Sequence, residues 1–151
     1  LGSGYHILQS KIAIGAGGFT GQGWLSGTQS QLYFLPARHT DFIFASWCEQ
    51  MGFLGGMLII VLLGVLSYLF LVVALRSSDL EGKILASLLA ISLLFQWAVN
   101  IGMNLGIMPV TGIALPFISY GGSSLVANLA SAGLVYNVSK SGGKESWKKW
   151  I

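Results

Sequence analysis

Gln50-Met-Gly-Phe-Leu-Gly-Gly-Met-Leu-Ile-Ile-Val-Leu-Leu-Gly-Val-Leu-Ser-Tyr-Leu-Phe-Leu-Val-Val-Ala-Leu75 carries no charged side chain, and this stretch decides the fold class. At 1.5 Å rise per residue a helix over 52–75 is long enough to cross a hydrocarbon layer roughly 30 Å thick. Arg76-Ser-Ser-Asp-Leu-Glu-Gly-Lys83 follows as a short charged hairpin. Beyond it, Ile84–Ser139 gives 56 residues without a charge. That is too long for one crossing of about 20 residues and fits two with a loop between them. Pro109, Thr111, Gly112 and Pro116 place the loop near 107–116, because these residues break a helix. The expected architecture is an all-α membrane protein with three transmembrane helices, at about 52–75, 84–106 and 117–138. A large extracytoplasmic loop (1–40) precedes this transmembrane region (41–139), and a cytoplasmic tail (140–151) follows it.

Composition agrees with the spans. Of 151 residues, 54% are hydrophobic and 9% charged, with a mean hydropathy of +0.73, against roughly 25% charged in a soluble domain. A disulfide scaffold is excluded, since Cys48 stands alone. Collagen-like and disordered chains are excluded as well: glycine is frequent but unperiodic, and there are only 3 prolines. The net charge of +3 does not indicate nucleic acid. Four lysines (140, 144, 148 and 149) sit in the last twelve positions beside Trp147 and Trp150, a pattern that suits either an anchor at an anionic lipid surface or a frayed, solvated terminus. Six basic residues fall in the hairpin and tail, against Lys11 and Arg38 on the other side of the spans. The positive-inside rule then makes hairpin and tail cytoplasmic and turns residues 1–40 and the 107–116 loop outward. The chain starts in a Gly-rich polar stretch without Met and is expected to be the C-terminal part of something longer.

Residues 1 to about 40 hold seven glycines between Gly2 and Gly23. Gln9–Ile14 suits a short amphipathic helix, and Gly15-Ala-Gly-Gly-Phe-Thr-Gly-Gln-Gly23 is a turn cluster. It never satisfies GxGxxG and has no strand before it, which excludes a dinucleotide-binding loop.

A few polar groups require a reason. Asp41 stands at the outer edge of the first span in Arg38-His39-Thr40-Asp41-Phe42-Ile43-Phe44. It is either a helix N-cap, or a base or metal ligand with Arg38 and His39 supplying positive charge for an anionic substrate. Ser46, His39 and Asp41 are too close in sequence to argue for a triad. His6, His39, Cys48 and Glu49 lack zinc spacing. Glu49, two helical turns beyond Asp41, either lines the same outer cavity or lies on the helix surface in the headgroup layer. Gln96, Asn100 and Asn104 recur at i, i+4, i+8 and form a polar stripe. Such a stripe must face other helices as hydrogen-bond glue or line a substrate wall. Gly52-xxx-Gly56 and Gly102-xxx-Gly106 are weak signals for close helix contact.

Pro109-Val-Thr-Gly-Ile-Ala-Leu-Pro-Phe-Ile-Ser-Tyr-Gly-Gly-Ser-Ser124, preceded by Asn100 and Gly106, resembles the signature of the SEDS family (shape, elongation, division and sporulation). A second block, Gly23-Trp-Leu-Ser-Gly-Thr-Gln-Ser-Gln-Leu-Tyr-Phe-Leu-Pro36 and then Arg38–Ala45, is similar to the large outer loop of its rod-elongation members rather than its division members. Together the blocks cover most of residues 5–138.

The resemblance implies the C-terminal part of a roughly ten-span peptidoglycan glycosyltransferase of the bacterial cytoplasmic membrane. Such an enzyme polymerises lipid II during cell elongation and shape maintenance. The implied partners are a class B penicillin-binding protein transpeptidase, other elongation-complex proteins and membrane lipids, with no nucleic acid. The essential catalytic Asp of the family's His-Thr-Asp motif maps onto Asp41. Arg38, His39, Lys11 and Glu49 are then the substrate-binding candidates, and a divalent cation such as Mg2+ or Mn2+ held by Asp41 is the implied cofactor. Glycan extension needs an acceptor hydroxyl to lose its proton while a polyprenyl pyrophosphate leaves, which calls for a carboxylate and for cations. The chain departs from the family pattern at Ala37 and Gln50, where acids are common, and at Ser46-Trp47-Cys48, where aliphatics are common. Two other functions remain open at this stage: a membrane scaffold for the transpeptidase, and a lipid II flippase. The flippase is disfavoured because the expected spans hold no ionisable side chain.

Overall fold

The computed structural model describes residues 3–23 and 41–146. Four α-helices lie among them: α1 (Ser3–Gly17), α2 (Ile43–Arg76), α3 (Leu80–Asn104) and α4 (Gly122–Ser146). Helices α2 (34 residues) and α3 (25 residues) are long and apolar enough to cross a membrane. Their outward faces are hydrophobic, with Leu58, Leu62, Val65 and Leu69 on α2 and Leu88, Ile91 and Phe95 on α3 all exposed. Water would penalise such a surface and lipid does not.

Helices α2 and α3 form an antiparallel hairpin. The turn between them is closed by Ser77 N donating to Val73 O (3.0 Å) and Lys83 N donating to Asp79 O (2.9 Å). Near this turn Phe70 and Ala74 of α2 meet Ala86, Ala90 and Leu93 of α3 and Val135 of α4. At the far end Phe44, Cys48, Ile59 and Leu63 pack with Ile101 and Leu115. Between the two clusters Trp97 Nε1 donates to Ser67 Oγ at 3.1 Å, which joins α3 to α2. Ser67 passes its own proton back to Leu63 O at 2.9 Å, so neither polar group faces lipid unsatisfied. Helix α4 returns toward the hairpin turn: a Cβ on Gly82 would stand 3.0 Å from Val138.

Helix α4, where a span was expected from 117, starts at Gly122. Pro116 and Phe117 occupy a tight turn in which Phe117 takes a left-handed φ of 63°. Ser119 locks this turn: its hydroxyl accepts from Leu115 N at 2.7 Å, and its own N–H donates to Leu115 O at 3.0 Å. With Asn128, Ser131 and Asn137 along it, α4 is more polar than α2 and α3, and it does not reach their standard of apolar length.

Helix α2 is broken at Gly52 (φ 69°, ψ −166°), where the glycine cluster after α1 is inserted. Gln22 N and Gly23 N donate to the carbonyls of Glu49 and Gln50 at 3.1 and 3.2 Å. Phe53 N and Leu54 N donate to those of Gly18 and Phe19 at 2.9 and 3.4 Å. The loop thus replaces the helical hydrogen bonds that the break removes, as buried backbone requires. Trp47 Nε1 spans the break to Gly55 O at 3.1 Å. For Gly52-xxx-Gly56 the reading as helix–helix contact is corrected accordingly, whereas Gly106 of the second pair does lie against Ile7 and Lys11 of α1. Gly52 meets the backbone of Phe19 and Gly21, and Gly56 meets Cys48 and Phe44 of its own helix.

Candidate active site

Asp41 lies in the turn that leads into α2, half-buried, at the end of the hairpin remote from Arg76 and Lys83. The capping role weighed for it is not realised. The N-cap position of α2 is Phe42, which makes no side-chain capping bond of its own. The first-turn amide of Ala45 is instead bound by Asn104 Oδ1 of α3, at 3.3 Å. The carboxylate of Asp41 is therefore not engaged in capping.

Its backbone is held from α3. Asn100 Nδ2 donates to Asp41 O at 3.1 Å and to Ile113 O at 2.7 Å. Asn104 Nδ2 donates to Asp41 O at 3.1 Å and to Asn100 O at 2.9 Å. Both asparagines are fully buried. They reach Asp41 because they stand one turn apart on one face of α3. The carboxylate itself looks toward Gly112: a Cβ built there would lie 3.9 Å from Asp41 Oδ2. Gly112 has φ 69°, so the loop after α3 bends past the carboxylate in a conformation that L side chains rarely adopt.

Helix α3 ends just beyond Asn104 in a Schellman motif. Ile107 N donates to Gly102 O (2.9 Å) and Gly106 N to Met103 O (3.0 Å), with Gly106 at φ 70°. Helix α1 docks on this end. Ser10 Oγ donates to Asn104 O at 2.8 Å. The exposed Lys11 lays its side chain over Gly106, where the partial negative charge of the helix C-terminus favours an ammonium. A chain of contacts thus runs from Lys11 and Ser10 through Asn104 to Asp41.

The other expected site residues fare differently. Arg38 and His39 lie outside the described residues. Glu49 is fully buried at 0% exposure, which corrects its placement on a helix surface in the headgroup layer. Its carbonyl accepts from the inserted glycine loop. Gln96 separates from the two asparagines. It bonds Ser92 Oγ at 3.2 Å and lines a small cleft with Phe70, Phe117, Asn128 and Ser131, between α2, α3 and α4. The stripe therefore divides into a pair that fixes the Asp41 backbone and one residue at a helix–helix crevice. His6, weighed in sequence only as a metal ligand, has its Nδ1 buried without a hydrogen-bond partner among the described residues, and its ring packs on Phe42 and Tyr5. Nothing in its spacing signals that position.

Among the described residues no three His, Cys, Asp or Glu side chains come together. Asp41 offers a single carboxylate, and a hard divalent cation there would complete its coordination with substrate pyrophosphate oxygens and water, and would neutralise the pyrophosphate charge.

The model of the FtsW/RodA/SpoVE family, described as cell cycle protein, matches residues 1–144. Peptidoglycan glycosyltransferase MrdB of Escherichia coli K12 is 50% identical over 91% of this chain and 37% of its own length. Stage V sporulation protein E of Bacillus subtilis is 45% identical over 93% of this chain and 38% of its own. The chain therefore spans somewhat more than a third of these relatives. Among solved structures, a chain of a peptidoglycan synthase complex coordinating polymerization and crosslinking matches with a TM-score of 0.73, at 36% identity over 89% of this chain and 37% of that one. A variant of the rod shape determining protein RodA of Thermus thermophilus matches with a TM-score of 0.65, at 44% identity over 72% of this chain and 36% of that one. The two apolar helices and these likenesses describe a bacterial membrane protein, all-helical over its described residues. With 144 of its 151 residues inside one family model, the chain belongs to the FtsW/RodA/SpoVE family of cell cycle proteins.

Proposed function

We propose that the chain is the C-terminal, catalytic part of a multi-pass peptidoglycan glycosyltransferase of the bacterial cytoplasmic membrane, polymerising lipid II during cell elongation. The carrying observation is 50% identity, over 91% of the chain, to a protein named for that activity. In this reading α2, α3 and α4 are three spans. Residues 1–40 and the loop after α3 face outward, where the lipid-linked sugar is presented, and the lysine tail is cytoplasmic. The partner is a class B penicillin-binding protein, a choice favoured by the likeness to a chain of a peptidoglycan synthase complex.

Asp41 acts as the base. The acceptor sugar hydroxyl gives its proton to the carboxylate as its oxygen bonds the anomeric carbon, and the bond from that carbon to the polyprenyl pyrophosphate breaks. The leaving group takes the electron pair and is met by the cations Lys11, Arg38 and His39. The seat of Lys11 on the helix end that also holds Asn104 supports this assignment for Lys11. Full burial gives Glu49 no direct contact with a sugar, so its contribution is to the junction beneath the site.

Asp41→Asn tests the reading in a full-length chain carrying this segment. Asn keeps the backbone and its bonds to α3 but takes no proton. Lipid II polymerisation should fall by about 10²–10⁴-fold with thermal stability unchanged. Near-normal polymerisation would remove Asp41 from the chemistry and favour the scaffold reading for this segment.

A further inference from the structure

Asp41 carries two different tasks, and the structure separates them. Its side chain faces Gly112, while its carbonyl accepts from two buried amides on α3. One asparagine would satisfy that carbonyl. The second bond, and the choice of partners, need a further reason. Asn100 spends its two amide protons on Asp41 O and Ile113 O, at 3.1 and 2.7 Å, one on each of the segments that flank the carboxylate. Asn104 adds the N-terminus of α2 through Ala45 N and is itself fixed by Ser10 Oγ on its carbonyl and by Asn100 O on its amide. The pair therefore sets the distance between the Asp41 turn and the Gly112 loop, and it does so from the last turns of α3, which the Schellman motif closes.

Resting on the reading of Asp41 as the base, we propose that Asn100 and Asn104 are positioning residues that fix the Asp41 carboxylate against the Gly112 loop. Neither needs to touch substrate. Their effect passes through the main chain of Asp41, and a displacement of about 1 Å at a reacting group is enough to cost on the order of 10²-fold in rate.

The test uses Asn100→Leu, close in shape and unable to donate, in the purified full-length chain, beside Asp41→Asn. Polymerisation is measured as kcat and KM for lipid II, per folded enzyme, with folding followed by thermal melting. The expected result is a kcat lowered 10- to 100-fold with KM within about twofold, because the substrate contacts stay and the base is misplaced. A purely structural role would lower the folded yield and leave kcat per folded enzyme within threefold, and that result overturns the inference. A raised KM with kcat intact also overturns it, by making Asn100 part of the substrate wall. Should Asn100→Leu not fold, Asn104→Ser is measured against the same criteria. The companion variant separates the two failures. Full activity in Asp41→Asn strikes the underlying reading of Asp41, whereas loss there with kcat retained in Asn100→Leu strikes the positioning role alone.

Discussion

Ser119 illustrates how one hydroxyl governs the approach to α4. Its oxygen accepts from the amide of Leu115, a residue 1% exposed, and its own amide returns to the Leu115 carbonyl. Ser119→Ala leaves that buried N–H without its acceptor, which costs about 1–3 kcal/mol. The thermal midpoint of the full-length chain should drop while Ser119→Thr, which keeps the oxygen, stays near the parent; equal behaviour of the two variants would refute the hydroxyl's role. The same reasoning sets a scale for Asn100. Hydrogen bonds between membrane helices contribute about 0.6 kcal/mol on average and up to about 1.7, so Asn100→Leu should lower stability by about 1 kcal/mol. That is too little to unfold the chain, and its kinetic effect can therefore be read on folded enzyme.

At the level of elements, the break in α2 is the feature most exposed to substitution. A Cβ at Gly52 would run into the backbone nitrogen of Gly21 and the carbonyl of Phe19, and φ 69° is unfavourable for alanine in any case. Gly52→Ala should therefore destabilise by more than about 1 kcal/mol and expel the glycine loop. Gly64, twelve residues on in the same helix, has open space where its Cβ would be. Gly64→Ala should be neutral or stabilising by up to about 1 kcal/mol. Paired melting curves decide the matter: similar midpoints would mean that the break is incidental. The glycine cluster at 15–23 is legible in sequence only as a set of turns. That it fills a gap in another helix depends on the carbonyls of Glu49 and Gln50, which accept from Gln22 N and Gly23 N at the break, and no local pattern reveals this.

The whole molecule has two chemically different ends. Arg76, Lys83 and the end of α4 near Val138 gather at the hairpin turn. Asp41, α1 and the loop after α3 gather at the other. This polarity is what the proposed sidedness requires, and it can be measured in cells. A cysteine introduced at Ser26 should react with a membrane-impermeant maleimide from outside, and one at Ser141 only after permeabilisation. Cys48 is buried and gives a low background. Labelling at Ser141 but not at Ser26 would invert the molecule and move Asp41 to the cytoplasmic face.

Hydrophobic length is a local property, so the uncharged runs by themselves determined that this is a helical membrane protein. The motif around Asp41 and the Pro109–Ser124 stretch were enough to identify the family, because a long string of identities at fixed spacing survives without coordinates. The i, i+4 spacing of Asn100 and Asn104 announced that they share a face, but not what that face meets. Only the tertiary structure decided that both amides close on the carbonyl of Asp41, that Gln96 turns away to a crevice, and that Glu49 is buried. It also decided that α2 breaks at Gly52 and that α4 waits until Gly122. The physical reason is that the Asp41 clamp and the break at Gly52 depend on hydrogen-bonding partners dozens of residues away, which sequence order does not specify, while the start of α4 depends on a left-handed turn at Phe117 that no glycine announces.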